Sequence, residues 1–319
     1  MRTTRLVVTG ATGFIGSAVL RELGRLRDEE AFDLVVRAVG RRLPDELSGA
    51  DEWAEADLAD PDSLAGVCDR ADALLHLAAL VDAHESPCVT VNERGTAALM
   101  GEAVRSGVSR AVHLSTAAVY GLGPHRGIAV DEVAPVPVSA ASRTRLAGEA
   151  HALAAGATVL RPGLVIGAGD RWAVPALAGL LDAVPALWDG GRATLSLVAV
   201  EDLARLIAHL GLTGVLPGGR IWHAGHPEPV RLAELVGALA RHGILPFPAQ
   251  ELPLDACLEQ LRSSGTHLSE RQFSLFAEDF WFDSRDLWRV AGCPAGPGPL
   301  DRLASAAAWY RSVPMDRTA

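Results

Sequence analysis

The sequence contains no lysine; all 29 of its basic residues are arginine. Such a chain has no side-chain amine for a Schiff base and no ammonium to activate a neighbouring phenol. Tyrosine is nearly absent as well, with Tyr120 and Tyr310 the only two in 319 residues. The four cysteines, Cys68, Cys88, Cys257 and Cys293, are scattered and lack metal-ligand spacing. They argue against a disulfide framework or a metal site and read as reduced thiols of a cytoplasmic protein. No run approaches the ~18 apolar residues of a membrane span. Residues 1–12 lead straight into a strand pattern, so neither a signal peptide nor a membrane partner is expected. Basic runs are missing and the formal net charge is −10. Nucleic acid is therefore excluded as a partner, because phosphate binding needs clustered positive charge.

What is present is a glycine turn in a telling context. Leu6-Val7-Val8 reads as a buried strand. It runs into Thr9-Gly10-Ala11-Thr12-Gly13-Phe14-Ile15-Gly16, and then into a helical pattern from Ser17. Gly10 permits the tight turn, Gly13 lets the backbone approach a pyrophosphate, and Gly16 lets helix and strand pack closely. The helix start offers free N–H groups and partial positive charge to the anion.

Strand and helix signals alternate from there. Strands are expected at Arg5–Thr9, Leu34–Val39, Glu52–Ala56, Ala73–Leu77, Ala111–Ser115 and Thr158–Arg161. Helices are expected at Gly13–Arg27, Asp62–Cys68, Pro87–Ser106 and Ser142–Ala154. This alternation predicts an α/β fold, a Rossmann-type doubly wound parallel sheet. Beyond Gly167 the pattern loosens. Helices are read at Arg171–Ala183, Val200–Leu210, Arg231–Arg241 and Asp255–Ser263, with short strands near Leu195–Val198 and Arg220–His223. The expected organisation is a dinucleotide-binding domain over residues 1–167 and a smaller substrate lobe over 168–319, with the 194–225 stretch returning to the main sheet.

The chain resembles the extended short-chain dehydrogenase/reductase superfamily of the NAD-dependent epimerase/dehydratase type. Separate segments carry the resemblance. Thr9–Gly16 matches its T-G-x-x-G-x-x-G turn, Asp57-Leu58 its adenine-contacting acid, and His76-Leu77-Ala78-Ala79 its H-x-A-A stretch beside the cofactor. Asn92 with Gly95-Thr96 matches N-x-x-G-T, and Ser115-Thr116-Ala117-Ala118-Val119-Tyr120-Gly121 matches S-[ST]-x-x-V-Y-G. Arg161-Pro162-Gly163 with Gly167 matches the R-P segment near the nicotinamide, and Val198–Leu203 the V-x-V-x-D-L segment. The resemblance implies that Gly10, Thr12, Gly13, Phe14, Ile15, Gly16, Asp57, Leu58, Leu77, Ala78, Ala79, Asn92, Arg145 and Pro162 hold the nucleotide. It also implies a possible homodimer through the Pro87–Ser106 and Ser142–Ala154 helices.

One departure is local and severe. Where the family has P-x-S-P-Y-x-x-S-K-x-x-x-E, this chain reads Pro137 through Glu149 with Ala141 at the tyrosine position and Arg145 at the lysine position. The tyrosine transfers a proton while hydride moves, and the lysine lowers its pKa and holds ribose. Alanine has no transferable proton, and arginine is no base near neutrality. Thr116 keeps the hydroxyl that orients a substrate oxygen. His84 and His125, each in a loop expected to face substrate, have the right titration range to replace the missing acid. Thr116, His84 and His125 are thus the candidate catalytic residues.

The end of the second strand sets the nucleotide preference. Gly40 stands where an acidic residue would favour a free 2′-hydroxyl, and Arg41-Arg42 follow, suited to a 2′-phosphate. NADP(H) is favoured, with NAD(H) the alternative. Three functions stay open: an oxidoreductase on a small or natural-product-like carbonyl or alcohol, a non-redox enzyme reusing the pocket, and an inactive nucleotide-binding sensor or partner protein.

Overall fold

The computed structural model describes residues 3–45 and 47–313. Seven parallel strands form its main sheet: β1 (Thr4–Thr9), β2 (Leu34–Gly40), β3 (Glu52–Glu55), β4 (Ala73–His76), β5 (Arg110–Leu114), β6 (Thr158–Arg161) and β7 (Ile221–His223), in the order β7-β6-β5-β4-β1-β2-β3. Both faces are covered, so β1 is apolar without alternation, as parallel sheets require. Leu6 and Val8 pack on one face with Leu203 and Ile207, while Val7 joins Leu99 and Met100 on the other. The helices that position the site are α1 (Phe14–Asp28), α2 (Thr96–Arg105), α3 (Ala140–Ala154), α4 (Ala173–Ala183), α5 (Val200–Thr213) and α6 (Glu270–Ala277).

Strand order reverses between β1 and β4, because β2 and β3 build outward on one side and β4 to β7 on the other. That switch point leaves a crevice at the carboxyl ends of the strands, where open α/β sheets bind ligands. A second sheet of four short strands lies in the C-terminal half, in the order Val230–Arg231, Thr194–Leu195, Phe280–Phe282, His125–Ile128. It belongs to the largest apolar cluster, which includes Tyr120, Trp188, Phe273, Phe280 and Tyr310. Among the described residues, no helix is long and apolar enough to cross a membrane.

Three expected elements differ. The helix read over Asp62–Cys68 is a single 3-10 turn, Pro61–Leu64, because Gly66 adopts a positive φ of 81° that ends helical geometry. The helix read over Pro87–Ser106 is three pieces: Glu85–Cys88, a π-helical stretch Val89–Gly95, and α2. Gly95 there abuts Leu58, whose carbonyl oxygen would lie 2.5 Å from a Cβ. The strand read over Leu195–Val198 breaks at Ser196, whose Oγ accepts from Phe282 N (2.9 Å) and ties two sheets together.

Candidate active site and nucleotide cleft

The glycine turn closes against β4. Gly10 has φ of +68°, and a Cβ there would sit 2.7 Å from Ala78 N. At Gly16 a Cβ would meet Gly10 O at 2.0 Å, so helix and strand approach as only glycine permits. Gly13 caps α1 with no side-chain hydrogen bond, and the first turn carries no acidic residue. Its N–H groups and positive dipole end are therefore left to an anion. Leu77 and Ala78 form the opposing wall.

From this turn the crevice runs in two directions. Toward β2 and β3 lies a cavity of about 550 Å³ lined by Thr12, Arg41, Arg42 and Asp57. Asp57 Oδ1 accepts from Ala59 N (2.9 Å), which fixes the carboxylate at the rim. Among the described residues neither Arg41 nor Arg42 has a hydrogen-bond or ion-pair partner. Toward β5 and β6 lies a cavity of about 350 Å³ whose lining includes Phe14, Ile15, Thr116, Ala141, Arg145 and Pro162. Across it stand Trp172 and the α6 face Arg271, Gln272, Leu275 and Phe276.

Thr116 leaves β5 just above the sheet. Its Oγ1 accepts from Ala118 N (3.1 Å), so its own proton remains available to a ligand. Ala141 is 9% exposed in the first turn of α3. Ser139 caps that helix through a reciprocal pairing with Ser142. One turn on, Arg145 donates through Nη2 to Leu114 O (3.0 Å) and Ser115 O (2.6 Å), while its buried Nε has no partner among the described residues. Burial lowers the Arg145 pKa to about 10, so the guanidinium stays cationic at neutral pH.

Behind Thr116 runs a buried polar chain. Ser115 Oγ donates to Glu149, and Glu149 accepts two bonds from Arg161 (3.0 and 2.5 Å). Arg161 Nη1 then donates to Tyr120 Oη (2.7 Å), which also contacts His223 Nε2 (2.8 Å). Tyr120 is fully engaged in this chain and does not line the cavity. Asp170 does line it, but its carboxylate accepts from the N–H groups of Trp172, Ala173 and Val174 and from Tyr310 Oη (2.9 Å). Burial pushes its pKa up, and the helix-start N–H groups oppose that. Sequence reading missed both Asp170 and the placement of Tyr310. An Asp shortly before a helical run was the available signal for the first.

Several expected residues lie elsewhere. His84 is 85% exposed in its side chain and pairs with Asp82 (3.0 Å), away from the cavity. His125 belongs to a strand rather than a substrate-facing loop. Its ring is buried against Tyr120, Phe280 and Phe282, and that burial lowers its pKa. Neither histidine is among the residues that line the cavity. Asn92 spends its amide on Leu80 N, Leu80 O and Thr144 Oγ1, pinning the loop after β4 to α3 instead of facing a ligand. Leu58 packs on Gly95, and Ala79 is exposed beside the turn.

These features fit a dinucleotide. The turn would hold the pyrophosphate, Thr12, Asp57, Arg41 and Arg42 the adenosine end, and Pro162 and the unpartnered Arg145 Nε the nicotinamide end. The family model described as NAD dependent epimerase/dehydratase family matches residues 6–224. Sterol demethylase protein B of Methylococcus capsulatus is 40% identical over 124 residues, 37% of this chain and 36% of that protein. A 2-alkyl-3-oxoalkanoate reductase of Stenotrophomonas maltophilia is 29% identical over 260 residues, 74% of each chain. The chain thus spans about a third of the first relative's length and about three-quarters of the second's. A dTDP-glucose 4,6-dehydratase from Streptomyces venezuelae, solved with NAD bound, superposes with a TM-score of 0.73 at 22% identity, covering 97% of both chains. With the glycine turn, the switch-point crevice and the matched length taken together, the chain belongs to the NAD-dependent epimerase/dehydratase family.

Proposed function

We propose that the protein is an NADP(H)-dependent oxidoreductase working in the direction of carbonyl reduction. The observation that carries this reading is the composition of the 350 Å³ cavity: a free hydroxyl proton on Thr116, a fixed cation at Arg145, and no base at the Ala141 position. A bound nicotinamide nucleotide supplies the hydride. Thr116 donates a hydrogen bond to the substrate oxygen, and Arg145 places positive charge near the alkoxide that develops there. The proton comes from water admitted where alanine replaces a phenol. An alkoxide is basic enough to take a proton from water. Oxidation of an alcohol would instead need a base, and Ala141 and Arg145 provide none. The hydroxide left by that water passes to bulk solvent, and reduction is the direction we propose, set by supply of the reduced nucleotide rather than by the site itself.

Arg41 and Arg42 support the nucleotide choice, since among the described residues both lack partners and line the adenosine-end cavity with no acidic group at Gly40. The test is a titration with NADPH and NADH followed by nicotinamide fluorescence, then single-turnover assays with ketone substrates. Tighter NADPH binding and hydride transfer support the proposal, and absence of nucleotide binding sinks it. Binding without any turnover favours the second reading, an inactive nucleotide-binding protein, which the tethering of Arg145 to main-chain carbonyls also suits.

A further inference from the structure

The substrate side of the cavity has an unusual division of polarity. Its walls include Val81, Leu164, Trp172, Ala176, Leu275 and Phe276. Four of its polar side chains are spent on the protein itself. Ser115 donates to Glu149, Ser139 and Ser142 satisfy one another, and Asp170 accepts four hydrogen bonds. A ligand rich in hydroxyls would lose water there without gaining partners, which is unfavourable for each group left unpaired.

Apart from Arg145, which is tethered to main-chain carbonyls through its Nη2, the lining holds one further cation. Arg271 stands in the first turn of α6, half-buried, on the face that also presents Gln272, Leu275 and Phe276 to the cavity. Among the described residues it has no ion-pair or hydrogen-bond partner. Gln272 spends its Oε1 on Ser269 N and Oγ, so its amide N–H groups remain free beside Arg271. The helix start itself is already capped by Ser269, but a cation and two amide donors in an apolar cavity form a receptor for one anionic group.

We infer that the substrate is an amphiphilic carboxylate: an apolar alkyl or ring body lying against Trp172, Leu275 and Phe276, with its carboxylate held by Arg271 and Gln272. The inference deepens the carbonyl-reductase reading, because the reacting carbonyl would then sit at Thr116, at the other end of the same cavity. It departs from a sugar-nucleotide substrate, whose many hydroxyls find few free partners here.

The test separates substrate class from chemistry by measuring binding without turnover. Decanoate, decanamide and UDP-glucose are titrated by calorimetry into the full chain, with and without NADP⁺. Decanoate should bind about tenfold tighter than decanamide, the worth of one charge-assisted contact. Arg271→Met should abolish that difference while leaving decanamide binding unchanged, which also shows that the variant is folded. Arg271→Lys should restore part of the difference. Equal binding of the two decanoyl probes, no decanoate binding in either condition, or tight UDP-glucose binding lost in Arg271→Met overturns the inference. Decanoate binding that depends on Arg271, without reduction of any oxo acid by NADPH, leaves the ligand class standing and removes the reductase reading. Rapid reduction of neutral ketones that ignores Arg271 does the reverse.

Discussion

Arg145 holds the carboxyl end of β5 through the hydrogen bond from its Nη2 to Ser115 O, 2.6 Å long. The residue at the family's lysine position is thus a structural clamp as well as a cation. It cannot activate a phenol by proton exchange, and Ala141, one turn earlier, offers none to activate.

Restoring the pair should restore general acid catalysis. Ala141→Tyr together with Arg145→Lys is expected to raise the rate of NADPH-dependent reduction of a small ketone by about 10²–10⁴, the usual worth of a positioned proton donor. Arg145→Lys alone should give no such gain. A double variant that binds NADPH normally and gains nothing would show that residue 141 does not face the reacting oxygen.

The pyrophosphate cradle predicts a charge-specific failure. A Cβ on Gly13 would lie 3.2 Å from Gly10 O, close but tolerable with a small shift. Gly13→Ala should therefore weaken nucleotide binding modestly. Gly13→Asp brings a carboxylate to the same anion site and should abolish binding in the fluorescence titration. Similar affinities for the two variants would move the pyrophosphate away from this turn.

At the adenosine end, Arg41→Ala with Arg42→Ala should cost NADPH about tenfold in affinity and leave NADH nearly unchanged, with the NADPH penalty shrinking at high salt. An equal loss for both nucleotides would assign the arginines to some other part of the cofactor.

Much of this was legible in the sequence, for identifiable reasons. β6 was read to the residue, and the other six main-sheet strands to within one; the central strands announce themselves as buried apolar runs, whereas β3, Glu52-Trp53-Ala54-Glu55, has no buried residue. The glycine turn was legible because its spacing is a steric demand. His125 was misplaced because its strand pairs with Phe280–Phe282, some 150 residues on, and nothing local signals that partner. Tyr310 was set aside as remote for the same reason, yet its hydroxyl reaches Asp170 and accepts from Gly167 N (2.8 Å). The isolation of Arg271 was equally invisible, since a missing ion-pair partner is a property of three-dimensional packing.

Breaking the buried pair behind Thr116 should be strongly destabilising, because it strands a charge in the interior. Glu149 and Arg161 are both almost fully buried and joined by two hydrogen bonds. Glu149→Gln leaves the Arg161 charge without its counter-ion and should cost about 3–5 kcal/mol in denaturant unfolding. A loss below about 1 kcal/mol would mean that Tyr120 and the neutral amide oxygen put in place of the carboxylate are enough for the guanidinium.

Acid sensitivity should come from the interior histidines, His125 and three others. His76 lies between Thr9 Oγ1 (2.7 Å) and Thr96 Oγ1 (3.0 Å), and burial, with Arg145 nearby, lowers its pKa to about 3. Burial lowers His223 to about 4, with Arg161 adding to the effect. His113 stacks on His76 with both ring nitrogens unpartnered among the described residues, and burial pushes it well below its ordinary value of 6.5. Each ring is neutral in the folded chain and protonates once unfolded. Their contribution is complete above about pH 6.5 and falls away as the pH drops toward the folded values, by about 1.4 kcal/mol per pH unit for each histidine. His113→Leu removes one of the protons taken up on unfolding and fills the same apolar space. Its stability measured from pH 7 to pH 4.5 should therefore fall less steeply than that of the native chain, by about one proton. Parallel curves would mean that His113 is already charged inside the fold, which its lack of any acceptor argues against.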